Sequence, residues 1–333
     1  MSSKIPQSGW PVHIVRQLVP LMGGGRSATG KDRFPFWVHP TTGSDVRDGL
    51  SPGSALKTMQ AAIDRCQDDV GDRIIRLPGT ETVTSTVNFN KKGIIVQAVD
   101  IGYSILGRGE RFTTRADAAF TDGPVATITR PCEQYGLGFW GREATGASVL
   151  ADFSAGGFDS GGWSVMQHCW FPNHGEIERG LDLGSAAGGV DRFVVDNCVF
   201  DGTNNGNMNS GGKRLTEAVR LTQGHNCYVT NSEFANALTA INLVLNSPKS
   251  DPVHGNVGCV LQANRMLGIP ATHFFLDVED TAAVRPQTVL VADNWLGVAL
   301  ASESYKLNGS AQANLTSLVT AGLQFAGNHY LDS

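Results

Sequence analysis

One seven-residue phrase recurs along the chain at near-regular intervals, and this restricts the fold more than any other feature. It reads VMQHCWF from Val165 to Phe171, VVDNCVF from Val194 to Phe200 and YVTNSEF from Tyr228 to Phe234. It continues as VLQANRM from Val260 to Met266, LVADNWL from Leu290 to Leu296 and QFAGNHY from Gln324 to Tyr330. The fifth position is Cys169, Cys198, Ser232, Asn264, Asn294 and Asn328, with successive intervals of 29, 34, 32, 30 and 34 residues. Self-similarity at a period of about 20 to 50 residues marks a solenoid.

The residues within each repeat select the kind of solenoid. The phrases are short β-rich runs without helical period, and a second apolar run follows several of them: Leu181 to Leu183, Ala218 to Leu221, Ala240 to Leu245 and His273 to Val278. Two or three short strands per turn describe a coil in which each strand lies parallel to its copy, about 4.8 Å away. Small polar residues at one bend can then hydrogen-bond up and down the stack. The fifth-position residues, Cys169, Cys198, Ser232, Asn264, Asn294 and Asn328, are the expected ladder, with a structural role.

The start of the coil has its own signals. Trp37 to Pro40 reads as a short strand, Thr41 to Pro52 as a turn-rich loop, and Ser54 to Asp68 as an amphipathic helix with Leu56, Met59, Ala62, Ile63 and Cys66 on one face. Such a helix caps the coil, whose first rung otherwise exposes its apolar interior and a free strand edge. Ile74 to Gly79 begins the first rung, and Ile94 to Ile101 and Val125 to Thr129 are further early ones. The expected organisation is an arm over residues 1–36, an opening strand and capping helix over 37–70, and the coil over 71–333.

Val38 to Asp64, VHPTTGSDVRDGLSPGSALKTMQAAID, resembles the N-terminal opening of right-handed parallel β-helix proteins of the pectin-lyase-like superfamily, which includes many bacteriophage spikes and fibres. The resemblance implies an all-β, right-handed, single-stranded parallel β-helix from Val38 to the C-terminus. It says little about activity, because one fold hosts lyases, hydrolases and inert spikes.

Composition narrows the partners. Charged residues make up 17% of the chain and the formal net charge is −5, which argues against nucleic acid and anionic membranes. No apolar run is long enough to span a bilayer. The 6 cysteines lack CxxC or metal-ligand spacing. Cys169 and Cys198, and likewise Cys227 and Cys259, are expected as stacked neighbours that stay reduced and buried, consistent with folding in a reducing cytoplasm. His168, His225, His254, His273 and His329 occupy different repeat positions, so no metal is expected. Gly107-Arg108-Gly109 and Gly23 to Gly25 fit no nucleotide motif, so no cofactor is expected.

The arm carries Trp10, Val12, Ile14, Val15, Leu18, Val19 and Leu21. Pro11, His13, Arg16 and Pro20 interrupt this run, which suits a secretory signal poorly. Burying those side chains at about 1.5 kcal/mol each gives roughly 10 kcal/mol, while fixing some twenty residues of backbone costs about 20 kcal/mol or more. The arm is therefore expected to dock on a partner.

Catalysis of pectate-lyase or glycosidase type needs acidic residues on adjacent rungs. Aligning the second strands places Arg220, Asn242 and Phe275 at similar positions, with Asp277, Glu279 and Asp280 clustered on one rung, so no acidic column is expected there. Two long insertions, Pro172 to Gly180 and Asp201 to Glu217, leave the same corner instead. They supply the catalytic candidates Asp201, Glu217, Glu176 and Glu178 and the ligand-binding candidates His174, Arg179, Lys213 and Arg214.

Two functions fit. One is a structural virion protein of a bacteriophage, a spike, fibre or head-decoration component. It would be a homotrimer, contact other virion proteins through the arm, and bind host-surface polysaccharide. The alternative is a polysaccharide lyase or glycoside hydrolase with the insertions as its cleft. If the arm is an anchor, deleting residues 1 to 30 leaves a folded, soluble coil that no longer assembles; light scattering that finds the truncated chain still assembled rejects the anchor.

Overall fold

The computed structural model of the chain describes residues 35–99, 112–117, 119–120, 123–141, 149–153, 163–172, 178–185, 189–202, 215–235, 237–244, 257–267, 274–279, 288–296, 305–307, 310–311, 318–319 and 323–330. The arm, with Trp10, Val12, Ile14, Val15, Leu18, Val19 and Leu21, lies outside the described residues.

Three parallel sheets wind around one apolar core. Among the described residues they form a 12-stranded sheet and two 9-stranded sheets. A representative rung runs through Phe193–Asp196 in the first sheet, Val199–Asp201 in the second and Glu217–Thr222 in the third. Each pairs in parallel with the equivalent strand of the next rung: Val194 with Tyr228, Phe200 with Phe234, and Val219 with Ile241. The exception is Ser310–Ala311, antiparallel to Tyr305–Leu307. This is the right-handed parallel β-helix that the repeats and the opening motif predict, the hand following from parallel crossovers between twisted strands.

The repeated phrase is the first strand, a two-residue bend and the second strand. At the fourth position His168, Asn197, Asn231, Ala263 and Asp293 all have positive φ, between 51° and 56°, and Gly327 has φ 61°. Asn and Asp tolerate the left-handed region, so their frequency there reflects the turn. Gly136, at φ 69°, makes the same bend between Glu133–Tyr135 and Gly138–Trp140. Its phrase, EQYGLGF, is a further copy, concealed in the sequence because Leu137 replaces the polar fifth residue.

The fifth residue links the rungs. Asn294 Oδ1 accepts from Asn264 N at 3.0 Å and Asn264 Nδ2 at 3.1 Å, while Asn294 Nδ2 donates to Leu261 O at 3.0 Å. Asn328 repeats the pattern one rung on, and Asn264 does so towards Ser232 N and Val229 O. In earlier rungs the thiols of Cys198 and Cys169 donate to Met166 O and Gln134 O. Cysteine thus occupies the ladder as a weak donor. All 6 cysteines are reduced and buried, and burial pushes the Cys132 thiol up to about 12, away from the range of a thiolate nucleophile.

Next to the ladder stands an aromatic column. Phe139, Phe171, Phe200 and Phe234 stack with ring centroids 5.7, 4.5 and 5.2 Å apart, and Phe89 and Phe275 close its ends edge-on. The phrase therefore points its seventh residue inward. Its sixth points outward, which leaves Trp295 55% exposed.

The opening differs from expectation at both ends of its helix. The first strand is Phe36–Val38 and the helix is Met59–Arg65, shorter than Ser54 to Asp68. Pro52–Ser54 is a separate 3-10 turn, and Leu56 bridges to Val38. The helix starts at Thr58 because the Asp45 carboxylate takes Lys57 N and Thr58 N at 2.8 and 2.9 Å, and Thr58 Oγ1 accepts from Ala61 N. Met59, Ala62 and Ile63 then plug the first rung. A buried ion pair, Arg76 to Glu81 at 2.6 Å, ties the first two sheets together, and Glu81 also accepts from Met59 N.

Asn294→Ala leaves Asn264 N and Leu261 O unpaired in the core. At about 1–3 kcal/mol per unsatisfied group, the expected loss is roughly 3 kcal/mol in denaturant unfolding; a loss under about 1 kcal/mol would mean that water replaces the amide.

Candidate functional site

The outer face of the third sheet carries the charged residues that the fold brings together. Its strands, Val149–Phe153, Arg179–Leu183, Glu217–Thr222, Thr239–Val244 and Phe274–Glu279, share an irregularity. The pairing steps over Leu150, Gly180, Ala218, Ala240 and Phe275, and each of these is buried together with its successor. At Gly180 this inward position has no room for a side chain: a Cβ there would lie 2.6 Å from Ala218 O and 2.9 Å from the Phe200 ring.

Two consecutive inward residues break the strict alternation of a strand. Side chains three apart then share the outer face. Arg179 and Asp182 pair at 3.0 Å, and Glu217 and Arg220 at 3.4 Å.

The register also corrects the sequence alignment. Asp152, Asp182, Arg220, Asn242, Asp277 and Lys306 form one column across successive rungs. Asp277, not Phe275, follows Asn242, because the strands align on their inward residues Leu181, Val219, Ile241 and Leu276. Two carboxylates, Asp152 and Asp182, therefore stand on adjacent rungs, where no acidic column was expected. Asp152 is hidden in the sequence because its strand precedes the first clear copy of the phrase.

Around this column runs a continuous network. Arg179 Nε meets Glu217 Oε2 at 3.1 Å. Asn242 Nδ2 donates to Glu217 Oε1 at 2.6 Å and to Glu279 Oε1 at 2.7 Å, and Arg220 approaches Glu279 at 3.8 Å. Beyond it, the Lys306 ammonium lies 3.8 Å over the Phe274 ring.

Electrostatics single out Asp182. Burial pushes its carboxyl up to about 6; Arg179 pulls it down, Asp152 pushes it further up and Arg220 pulls it down. Burial lowers the Arg179 guanidinium, but Asp182 and Glu217 outweigh this and hold it above its ordinary value. The arrangement can hold a proton on one carboxyl up to about pH 6, with a second acidic side chain beside it and two fixed cations alongside.

Of the sequence-derived candidates, Arg179 and Glu217 belong to this network. Glu178 is exposed at the start of the same strand, where its carbonyl accepts from Thr216 N and Glu217 N. Asp201 ends a strand of the second sheet, between Pro172 and Ala235, away from the third-sheet column. His174, Glu176, Lys213 and Arg214 lie outside the described residues. Among the described residues no group of three or more His, Cys, Asp or Glu could hold a metal ion.

No protein-family model and no curated protein sequence matches the chain. Solved structures do. A pectin methylesterase from rice weevil superimposes with a TM-score of 0.52 at 11% identity, covering 88% of this chain and 91% of the other. Pectin methylesterase PemA from Erwinia chrysanthemi gives 0.52 at 10% identity, with 91% of each chain covered. A point mutant of a pectin methylesterase in complex with a hexasaccharide gives 0.51 at 9% identity, again over 91% of each. The chain shares the fold of pectin methylesterases. At these identities the likeness shows the fold alone.

Asp182 sets a testable pH dependence of stability. Its folded value of about 6 lies above the unfolded value of about 3.9, so the native state holds the extra proton and stability falls as pH rises from about 4 to 6. Asp182→Asn is expected to flatten that slope by about 3 kcal/mol between pH 4 and 7, read from urea unfolding; parallel curves for variant and wild type would reject the raised value.

Proposed function

We propose that this protein is a polysaccharide-processing hydrolase whose active site is the outer face of the third sheet. The observation that carries the reading is the Asp152–Asp182 pair, two carboxyls on adjacent rungs, one of them raised to about 6.

Neighbouring strands lie about 4.8 Å apart, close to the separation of about 5–5.5 Å at which one carboxylate attacks and the other acts as acid. Asp182 is the proton donor to the leaving oxygen. Asp152 is the nucleophile, forming a covalent intermediate that water opens with Asp182 now acting as base. Arg179 orients Asp182, and with Arg220 it faces the charge that develops on the substrate. Glu217, bonded to both arginines, is a positioning residue. The long, open face of a coil suits a polymer that lies across several rungs. The scissile bond is glycosidic or ester, since both accept this two-carboxyl chemistry. The fold-mates that are pectin methylesterases raise the prior for an ester and supply no residue roles.

A second reading, a bacteriophage spike or decoration component, rests on the apolar arm over residues 1–36 and on six reduced thiols suited to a reducing compartment.

The test is a panel of plant cell-wall, capsular and lipopolysaccharide substrates, assayed for new reducing ends and for released acid or alcohol. Asp182→Asn and Asp152→Asn should each lower kcat/KM by about 10²–10⁴-fold with melting unchanged within a few degrees. Wild-type activity should fall as pH rises above about 6, where Asp182 loses its proton. A wild type that cleaves nothing would move the assignment to the virion reading.

A further inference from the structure

Asn242 occupies the middle of the charged network and is 2% exposed. Its Nδ2 donates to Glu217 and Glu279 at 2.6 and 2.7 Å. That pair of contacts fixes the amide orientation, because the reversed side chain would turn its oxygen on two carboxylates. The remaining atom, Oδ1, is buried and has no hydrogen-bond partner among the described residues. A buried acceptor left unmade costs about 1–3 kcal/mol. The two Nδ2 bonds account for the amide nitrogen and leave this cost on its oxygen.

The immediate surroundings indicate how a donor could arrive. Arg220 precedes Asn242 in the column. The Arg220–Glu279 contact at 3.8 Å is the longest ion pair of the network, and its side chains are 22% and 34% exposed. Arg220 is long and partly exposed on the outer face, whereas Asn242 is held by two short bonds, one of them to Glu279.

We propose that Asn242 is a substrate-recognition residue whose Oδ1 accepts a hydrogen bond from a hydroxyl of a saccharide ring bound along the third sheet, two rungs from Asp182. The hydroxyl enters as the Arg220 side chain swings outward, with Glu279 kept on Asn242 Nδ2. The vacant position demands a donor, so a sugar hydroxyl satisfies it and a sugar carboxylate does not. With Glu217 and Glu279 on either side, an anionic group is also repelled. A site built to accept from one hydroxyl discriminates against sugars that lack it. This inference rests on the polysaccharide reading and adds to it a subsite with a stated polarity.

The test uses calorimetric titration of cello-, manno- and galacturono-hexasaccharides into the full chain carrying Asp182→Asn, which blocks turnover. At least one is expected to bind, and adding Asn242→Ala or Asn242→Ser should weaken it about tenfold, the scale of one hydrogen bond. Trp295→Ala, on the second sheet, should leave affinity unchanged. A side-chain amide spectrum of the protein with Asn242 intact gives an independent reading that no folding defect can mask: the Asn242 resonance should shift when the saccharide is added. Binding with unaltered affinity in the Asn242 variants, or an unmoved resonance, overturns this inference alone. Failure of every hexasaccharide to bind overturns it together with the hydrolase reading.

Discussion

Everything in this molecule depends on parallel hydrogen bonding between rungs one strand-width apart, held in register by a two-residue bend that recurs from Gly136 to Gly327. Parallel strands pair only if each turn returns the chain to the same height and phase. The two-residue bend accomplishes this by placing one residue at positive φ and the next in the ladder. Each ladder amide accepts from the bend N–H and donates to a carbonyl, both of the rung before it. Because the coil contacts only its neighbouring rungs, an error in one bend would displace every rung beyond it.

The same regularity produces the site. Where the third-sheet ladder steps over one residue in every rung, Leu150, Gly180, Ala218, Ala240 and Phe275 turn inward beside the residues that follow them. Residues three apart are then presented together on the outside, and a row of isolated polar side chains becomes a two-column network. In it Arg179 reaches both Asp182 and Glu217, and Asn242 reaches both Glu217 and Glu279. The interior supplies the rigidity: stacked phenylalanines and buried ladder amides allow little displacement of the strands that carry these groups.

The site also lies at a balance of opposing electrostatic effects. Asp182 makes a 3.0 Å ion pair with Arg179, an arrangement that on a solvated surface would lower its affinity for a proton. Burial and the adjacent Asp152 reverse the outcome. The contrast with Arg76 and Glu81 is instructive. That pair is deeper, with side chains 0% and 5% exposed, has no further ion-pair partner among the described residues, and joins the helix N-terminus to the first rung. It is a structural clamp. The third-sheet network is shallower, more acidic and spread over several rungs.

The sequence by itself determined the coil. The phrase repeats because each copy meets the same local demand: a residue that tolerates the left-handed turn, a small polar or thiol side chain at the ladder, and an apolar side chain two places further on. These are short-range requirements, so they are written in the order of the residues. Glu217 and Arg179 were named as candidates because they border the long insertions, and the structure pairs them in the third-sheet network. What only the tertiary structure decided is which residues share a rung position. Asp277 follows Asn242, and Asp182 follows Asp152, through a register set by strand pairing, with an irregular inward step that has no signature of its own in the sequence. Insertions of unequal length separate those residues along the chain, and only the hydrogen-bonded ladder restores them to one column.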